Sequence, residues 1–126
     1  MRHTISKRLA PLASLAAQRR YIVHATRDHY LVPEQLLNDA DDVIRQVRTM
    51  PAVRDALPAS AVQAFLDLDG LLDAADGAAQ GAQSSEQLVE HDAAWRAVRD
   101  HVARCLDMVG FDLAEWEKTE GLSHAA

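Results

Sequence analysis

The four prolines, and the spacing of apolar side chains between them, constrain this chain more than any other feature. Pro11, Pro33, Pro51 and Pro58 stand beside stretches in which Leu, Ile, Val and Ala recur every three or four residues. That interval is the helical repeat, and sustained period-two alternation is missing. Proline lacks the amide hydrogen a helix interior needs, but it fits the first turn, where that hydrogen has no partner anyway. Asp69-Gly70 and Asp76-Gly77 are hairpin signals elsewhere, yet here they lie amid Leu and Ala, which favour helix. The pattern predicts an all-α fold: an antiparallel four-helix bundle with a short extra helical turn, in one helical domain over 1–126.

The spacing predicts a first helix over about 11–30, with Pro11 in its first turn. Leu12, Leu15, Ile22 and His29 share one face, and residues 1–10 form an arm or an extra turn. Pro33 opens a second helix, with Glu34 favourably placed at its positive end. Leu37, Ala40, Ile44 and Val47 are its inward stripe, flanked by Leu36 and Val43, and Pro51 stops it. Residues 51–57 read as one short turn. Pro58 then opens a third helix to about residue 75, with Val62, Phe65, Leu66 and Leu72 inward. Residues 77–83, rich in Gly, Ala and Gln, read as a flexible linker. Ser84 and Gln87 fit a capping box for a last long helix. Along it Leu88, His91, Trp95, Val98, Val102, Cys105 and Val109 make a continuous seam, which Gly110 ends. Residues 111–118 form a short final helix that tucks Phe111, Leu113 and Trp116 inward, and 119–126 fray.

A length of 126 residues suits one domain. One cysteine rules out an internal disulfide and fits a reducing, cytoplasmic setting. No run approaches the roughly 20 apolar residues that span a bilayer. Arg2, Lys7 and Arg8 ahead of residues 9–17 have the outline of a secretory signal, but the run is short, Ala-rich and interrupted by Pro11. The formal net charge of -6 argues against duplex nucleic acid or an anionic membrane as the partner. The charge is uneven. Residues 1–30 hold six Lys/Arg against one Asp (+5), and residues 31–126 hold seven against eighteen Asp/Glu (−11). Either the basic segment lies across acidic neighbours of its own fold, or Arg19, Arg20 and Arg27 grip an anionic partner. Arg19 lies nearest the apolar stripe, so it is expected to be partly buried and paired.

Catalytic and metal motifs are thin. No Glu precedes a His by three residues, as a di-iron bundle requires, and there is no Cys pair. The run 65–76 aligns loosely with a calcium loop, but Phe65 occupies the first ligand position and Asp76 stands where a bidentate Glu belongs. Helix period explains the same Asp residues as a solvated face. No serine sits in a nucleophile elbow, Cys105 is expected to be buried, and there is no phosphate loop. His24, His91 and His101 lack the setting of a phosphotransfer histidine. Elimination leaves a small, acidic, non-catalytic protein-binding module of the adaptor, chaperone, antitoxin or immunity type, without a cofactor, that binds another protein or itself as a homodimer. Its expected binding residues are Arg19, Arg20, Arg27 and Trp116, since Trp and Arg anchor interfaces. The alternatives are an all-helical enzyme or ligand binder that holds an anionic small molecule through clustered Arg, and a metal-binding bundle. EDTA is expected to leave the melting temperature unchanged; a clear drop in a thermal melt would favour the metal-binding bundle.

Overall fold

A computed structural model describes residues 2–122 of the chain. The described residues are predominantly helical and include no strand. In chain order the elements are α1 (Arg2–Ala13), α2 (Leu15–Gln18) running into a π turn (Arg19–Val23), α3 (Pro33–Thr49), α4 (Pro51–Asp55), α5 (Ala59–Gly81), a second π turn (Gln87–His91), α6 (Ala93–Met108) and α7 (Leu113–Thr119). α5 packs along α6 and α3, and α1 packs on α6 and α3. α7 touches α1 and α6, and the two π turns face each other.

The N-terminal third departs from the sequence expectation. Residues expected as an arm form the body of α1, and Pro11 sits near its C-terminal end instead of in a first turn. Proline there forgoes the amide bond to the carbonyl of Lys7, one turn back, and the helix ends two residues later. Ser14 adopts an extended backbone (φ -101°, ψ 109°), and its Oγ accepts the amide of Ala17 at 3.0 Å, which starts α2. The expected helix over 11–30 is therefore two helices and a π turn, ending at His24. Ile5, Leu9 and Leu12 of α1 are buried, each worth roughly 1.5–3 kcal/mol of transfer from water.

The break at Ser14 leaves carbonyls of α1 without intrahelical partners, a cost every helix end must meet. Gln18 meets it. Its Nε2 donates to the carbonyls of Leu12 (2.7 Å) and Pro11 (3.2 Å), while its Oε1 accepts from Trp95 Nε1 (3.0 Å) and Arg99 Nη1 (2.9 Å). Arg99 Nη1 also reaches the carbonyl of Val89 at 2.9 Å. Gln18 and Trp95 are fully buried and Arg99 nearly so. Among the described residues, no buried side-chain polar atom lacks a partner.

The last long helix is also interrupted. Ser84 Oγ accepts the amide of Gln87 as expected (3.0 Å), but a π turn follows, and Asp92 turns extended (φ -79°, ψ 125°). Asp92 Oδ1 then caps α6 through the amide of Trp95 at 2.9 Å. This restart resets the helical phase, so His91, expected in the seam, is exposed, whereas Trp95, Val98, Val102 and Cys105 are buried. Gly110 takes the left-handed conformation (φ 77°) that ends α6, with the amide of Phe111 closing on the carbonyl of Leu106 at 2.9 Å.

Other corrections are smaller. α3 buries all six residues assigned to its inward face. α5 runs to Gly81, through most of the expected linker, because Ala78 and Ala79 pack on the core and Gln80 bonds Asp76 at 2.8 Å. Its fully buried line is Ala61, Phe65, Leu68, Leu72 and Ala75, with Val62 and Leu66 only half-buried. Since α5 is continuous through Asp67–Asp76, a calcium loop is not formed there. Of the tail expected to fray, Leu122 is buried, and residues 123–126 lie outside the described residues.

Gln18→Ala is expected to destabilise the chain by about 3 kcal/mol, since it strands a buried indole N–H and a guanidinium together. Exposed Asn38→Ala should stay within about 0.5 kcal/mol of wild type. Urea unfolding of the two variants checks this.

Candidate functional site

Ion pairing decides how much of the basic N-terminal segment remains open to a partner. Arg8 on α1 reaches α3 at Asp42 (2.7 Å) and Asp39 (3.2 Å); the bond to Asp42 is the main reason its pKa is raised. Arg19 makes a two-pronged contact with Glu90 across the facing π turns, Nε and Nη2 each 2.7 Å from a carboxylate oxygen. That bond raises the Arg19 pKa and holds the Glu90 carboxyl below the usual carboxylate range, with partial burial opposing both shifts. Arg19 is paired as expected, although its side chain is still 41% exposed. Arg20 is exposed and donates to the carbonyl of Gly121 at 2.9 Å. Arg27 is exposed and has no ion pair among the described residues. Trp116 is half-buried.

The three arginines do not converge. Arg19 lines a cleft with His24, Glu86, Glu90 and His91, while Arg20 lines another with Tyr21, His24, Thr26 and His29. Arg27 is among the lining residues of neither. Trp116 belongs to a third cleft, of about 360 Å³, which it shares with Tyr21, His29 and Tyr30.

Two of these clefts meet around the segment between the first π turn and α3, and that segment is the candidate site. Its local geometry is set by hydrogen bonds. The amide of Thr26 donates to the carbonyl of His29 (2.9 Å), the amide of His29 donates to Thr26 Oγ1 (3.1 Å), and the amide of Leu31 ties back to the carbonyl of Tyr21 (2.8 Å). The segment is anchored, yet residues 24–30 are all exposed. Tyr30 is 61% and Val32 44% exposed, two of the few large hydrophobic side chains left open to water.

Several groups with nucleophilic or metal-binding potential are engaged otherwise. Burial pushes the Cys105 thiol up to about 11, so it carries no thiolate at neutral pH. His101 Nε2 lies 2.7 Å from the carbonyl of Ala64. Burial lowers the pKa of Arg99, whose guanidinium is held by Gln18 and Val89. Ser14 donates to Glu117 while capping α2. No group of three or more His, Cys, Asp or Glu could hold a metal ion among the described residues.

Sequence reasoning missed Gln18 and Arg99 as buried polar residues, although the signal was present. Gln18 falls between Leu15 and Ile22 at intervals of three and four, and Arg99 falls between Trp95 and Val102 at four and three. Each is a polar residue at an inward position. Comparison of the chain with protein-family models, with curated proteins and with solved structures finds no match.

The Arg19–Glu90 pair has a predictable pH signature. Glu90 has a lowered pKa in the folded chain, so its contribution is present above the ordinary carboxylate pKa of about 4.3 and is lost as pH falls through the lower folded value. At pH 7, Arg19→Ala should lower the melting temperature more than Arg20→Ala, by the equivalent of about 0.5–1 kcal/mol for a surface pair. Near pH 3 that difference should shrink. Equal shifts at pH 7, read by calorimetry, would contradict the assignment.

Proposed function

We propose that this chain is a non-catalytic protein-binding module of the adaptor, chaperone, antitoxin or immunity type, acting in the cytoplasm on another protein or on a second copy of itself. We read its scaffold as one domain built on an antiparallel four-helix bundle of α1, α3, α5 and α6, with α4 as the short extra turn. The pairwise packing of those helices supports this reading.

The observation that carries the functional reading is the anchored segment 24–32, which holds Tyr30 and Val32 in water, Tyr30 in one cleft with half-buried Trp116. Exposing apolar side chains on a fixed backbone has a cost that a binding surface repays. Trp116 and Arg27 therefore remain in the proposed interface, with Arg20 at its edge. Arg19 serves mainly to join the π turns. A second reading, an enzyme or ligand binder for an anionic small molecule, draws on the cleft that brings Arg19, His24 and His91 together. It is the weaker one, because Glu90 neutralises Arg19 inside that cleft.

The test is a Tyr30→Ser, Val32→Ser double variant. Both side chains are exposed, so its stability should stay within about 1 kcal/mol of wild type. It should lose the proteins that wild type captures from host lysate, or the self-association that wild type shows in sedimentation velocity. Identical capture and identical association by the two proteins would refute the proposed face.

A further inference from the structure

The cleft that holds Trp116 has a chemistry of its own. Three aromatic residues line it: Tyr21 from the first π turn, Tyr30 from the exposed segment, and Trp116 from α7. Pro11, Ala17 and Leu31 add apolar surface, and the imidazole of His29 and two carboxylates, Asp28 and Glu120, complete the lining. No Lys or Arg is among the lining residues. Neither the Asp28 nor the Glu120 carboxylate makes an ion pair or side-chain hydrogen bond among the described residues. The adjacent cation, Arg20, lines the neighbouring cleft and donates to the Gly121 carbonyl.

Aromatic faces carry negative charge density and attract cations, most strongly cations with apolar surface of their own. Carboxylates without a cationic partner add a field of the same sign. A cleft of about 360 Å³ lies at the small end of the range that takes organic ligands. A small inorganic cation needs about six oxygen ligands, more than two carboxylates and two tyrosine hydroxyls supply, and gains little from the ring faces. An alkylated ammonium presents methyl and methylene groups to the rings and its charge to Asp28 and Glu120.

We propose that the cleft formed by Tyr21, Tyr30 and Trp116, with Asp28 and Glu120, is a binding site for an organic ammonium group. The group is either a free quaternary ammonium compound or a lysine side chain of another chain. The site stands on the cleft's own lining and does not require segment 24–32 to carry a protein partner.

Tryptophan fluorescence of the full chain tests it. Trp95 is buried and bonded to Gln18, so the ligand-dependent signal should come from Trp116. The probes are choline, its neutral isostere 3,3-dimethyl-1-butanol, and Nα-acetyl-lysine N-methylamide, all at constant ionic strength. Choline or the lysine derivative should give a saturable change that the neutral alcohol does not. Tighter choline binding identifies a free compound, and tighter lysine binding identifies a side chain. Tyr30→Ala should weaken binding roughly threefold to tenfold. Asp28→Asn with Glu120→Gln should weaken it while leaving the melting temperature unchanged, which separates lost recognition from lost folding. Three results would overturn the site: no saturable change with either ammonium probe, an equal response to the neutral alcohol, or unchanged binding by the carboxylate double variant.

Discussion

The side-chain amide of Gln18 joins the two places where this fold breaks its own helices. On one side it takes up the carbonyls of Pro11 and Leu12, left over when α1 ends. On the other it accepts the indole of Trp95 and the guanidinium of Arg99, both from α6. Arg99 in turn holds the carbonyl of Val89 in the second π turn. One buried amide thus ties the end of α1, the start of α6 and the second π turn into a single unit. In a low-dielectric interior such a network is stabilising only when every member is satisfied, and here it is. The Arg19–Glu90 pair adds a second link nearer the surface, between the two π turns.

The candidate surface follows from that junction. Because α2 widens into a π turn and stops at His24, the chain leaves the helix with Tyr21 half-buried, Ile22 buried and residues 24–30 in solvent. The Leu31 to Tyr21 backbone bond returns it to the fold. α7 touches α1 and brings Trp116 to the same cleft, and Arg20 reaches the carbonyl just beyond α7. An uninterrupted helix over 11–30 would have carried His29 and Tyr30 along a rod instead of beside Trp116. Of the basic residues among the first thirty, Arg8, Arg19 and Arg20 make contacts within the chain, whereas Lys7 and Arg27 are exposed and have no ion pair among the described residues.

Sequence patterning was most reliable where a helix is long and its two faces differ sharply. The inward stripe of α3, the Trp95–Cys105 part of α6, the Ser84 cap and the Gly110 stop were all legible before the structure. The errors at Ser14 and Asp92 share one cause. Periodicity reports where apolar residues repeat, but not whether the backbone between repeats is continuous. Ser14 and Asp92 are both good helix-starting residues, and each interrupts a run whose spacing alone reads as unbroken. Missing the restart at Asp92 placed His91 inside, whereas Gln18 and Arg99 were overlooked although the apolar spacing already turned them inward. The clefts were not legible, because Tyr21, Tyr30 and Trp116 come from three separate segments.

By itself, then, the order of residues determined the helical class and the inward faces of the longer helices, along with the lack of a motif for metal or covalent chemistry. These depend on neighbours within a few positions, where helix geometry is already known. Tertiary packing alone decided where polar groups were worth burying. The carbonyls stranded at the end of α1 are met by Gln18, six and seven positions on, but burying that amide also requires donors to its oxygen, and those lie 77 and 81 positions away along the chain.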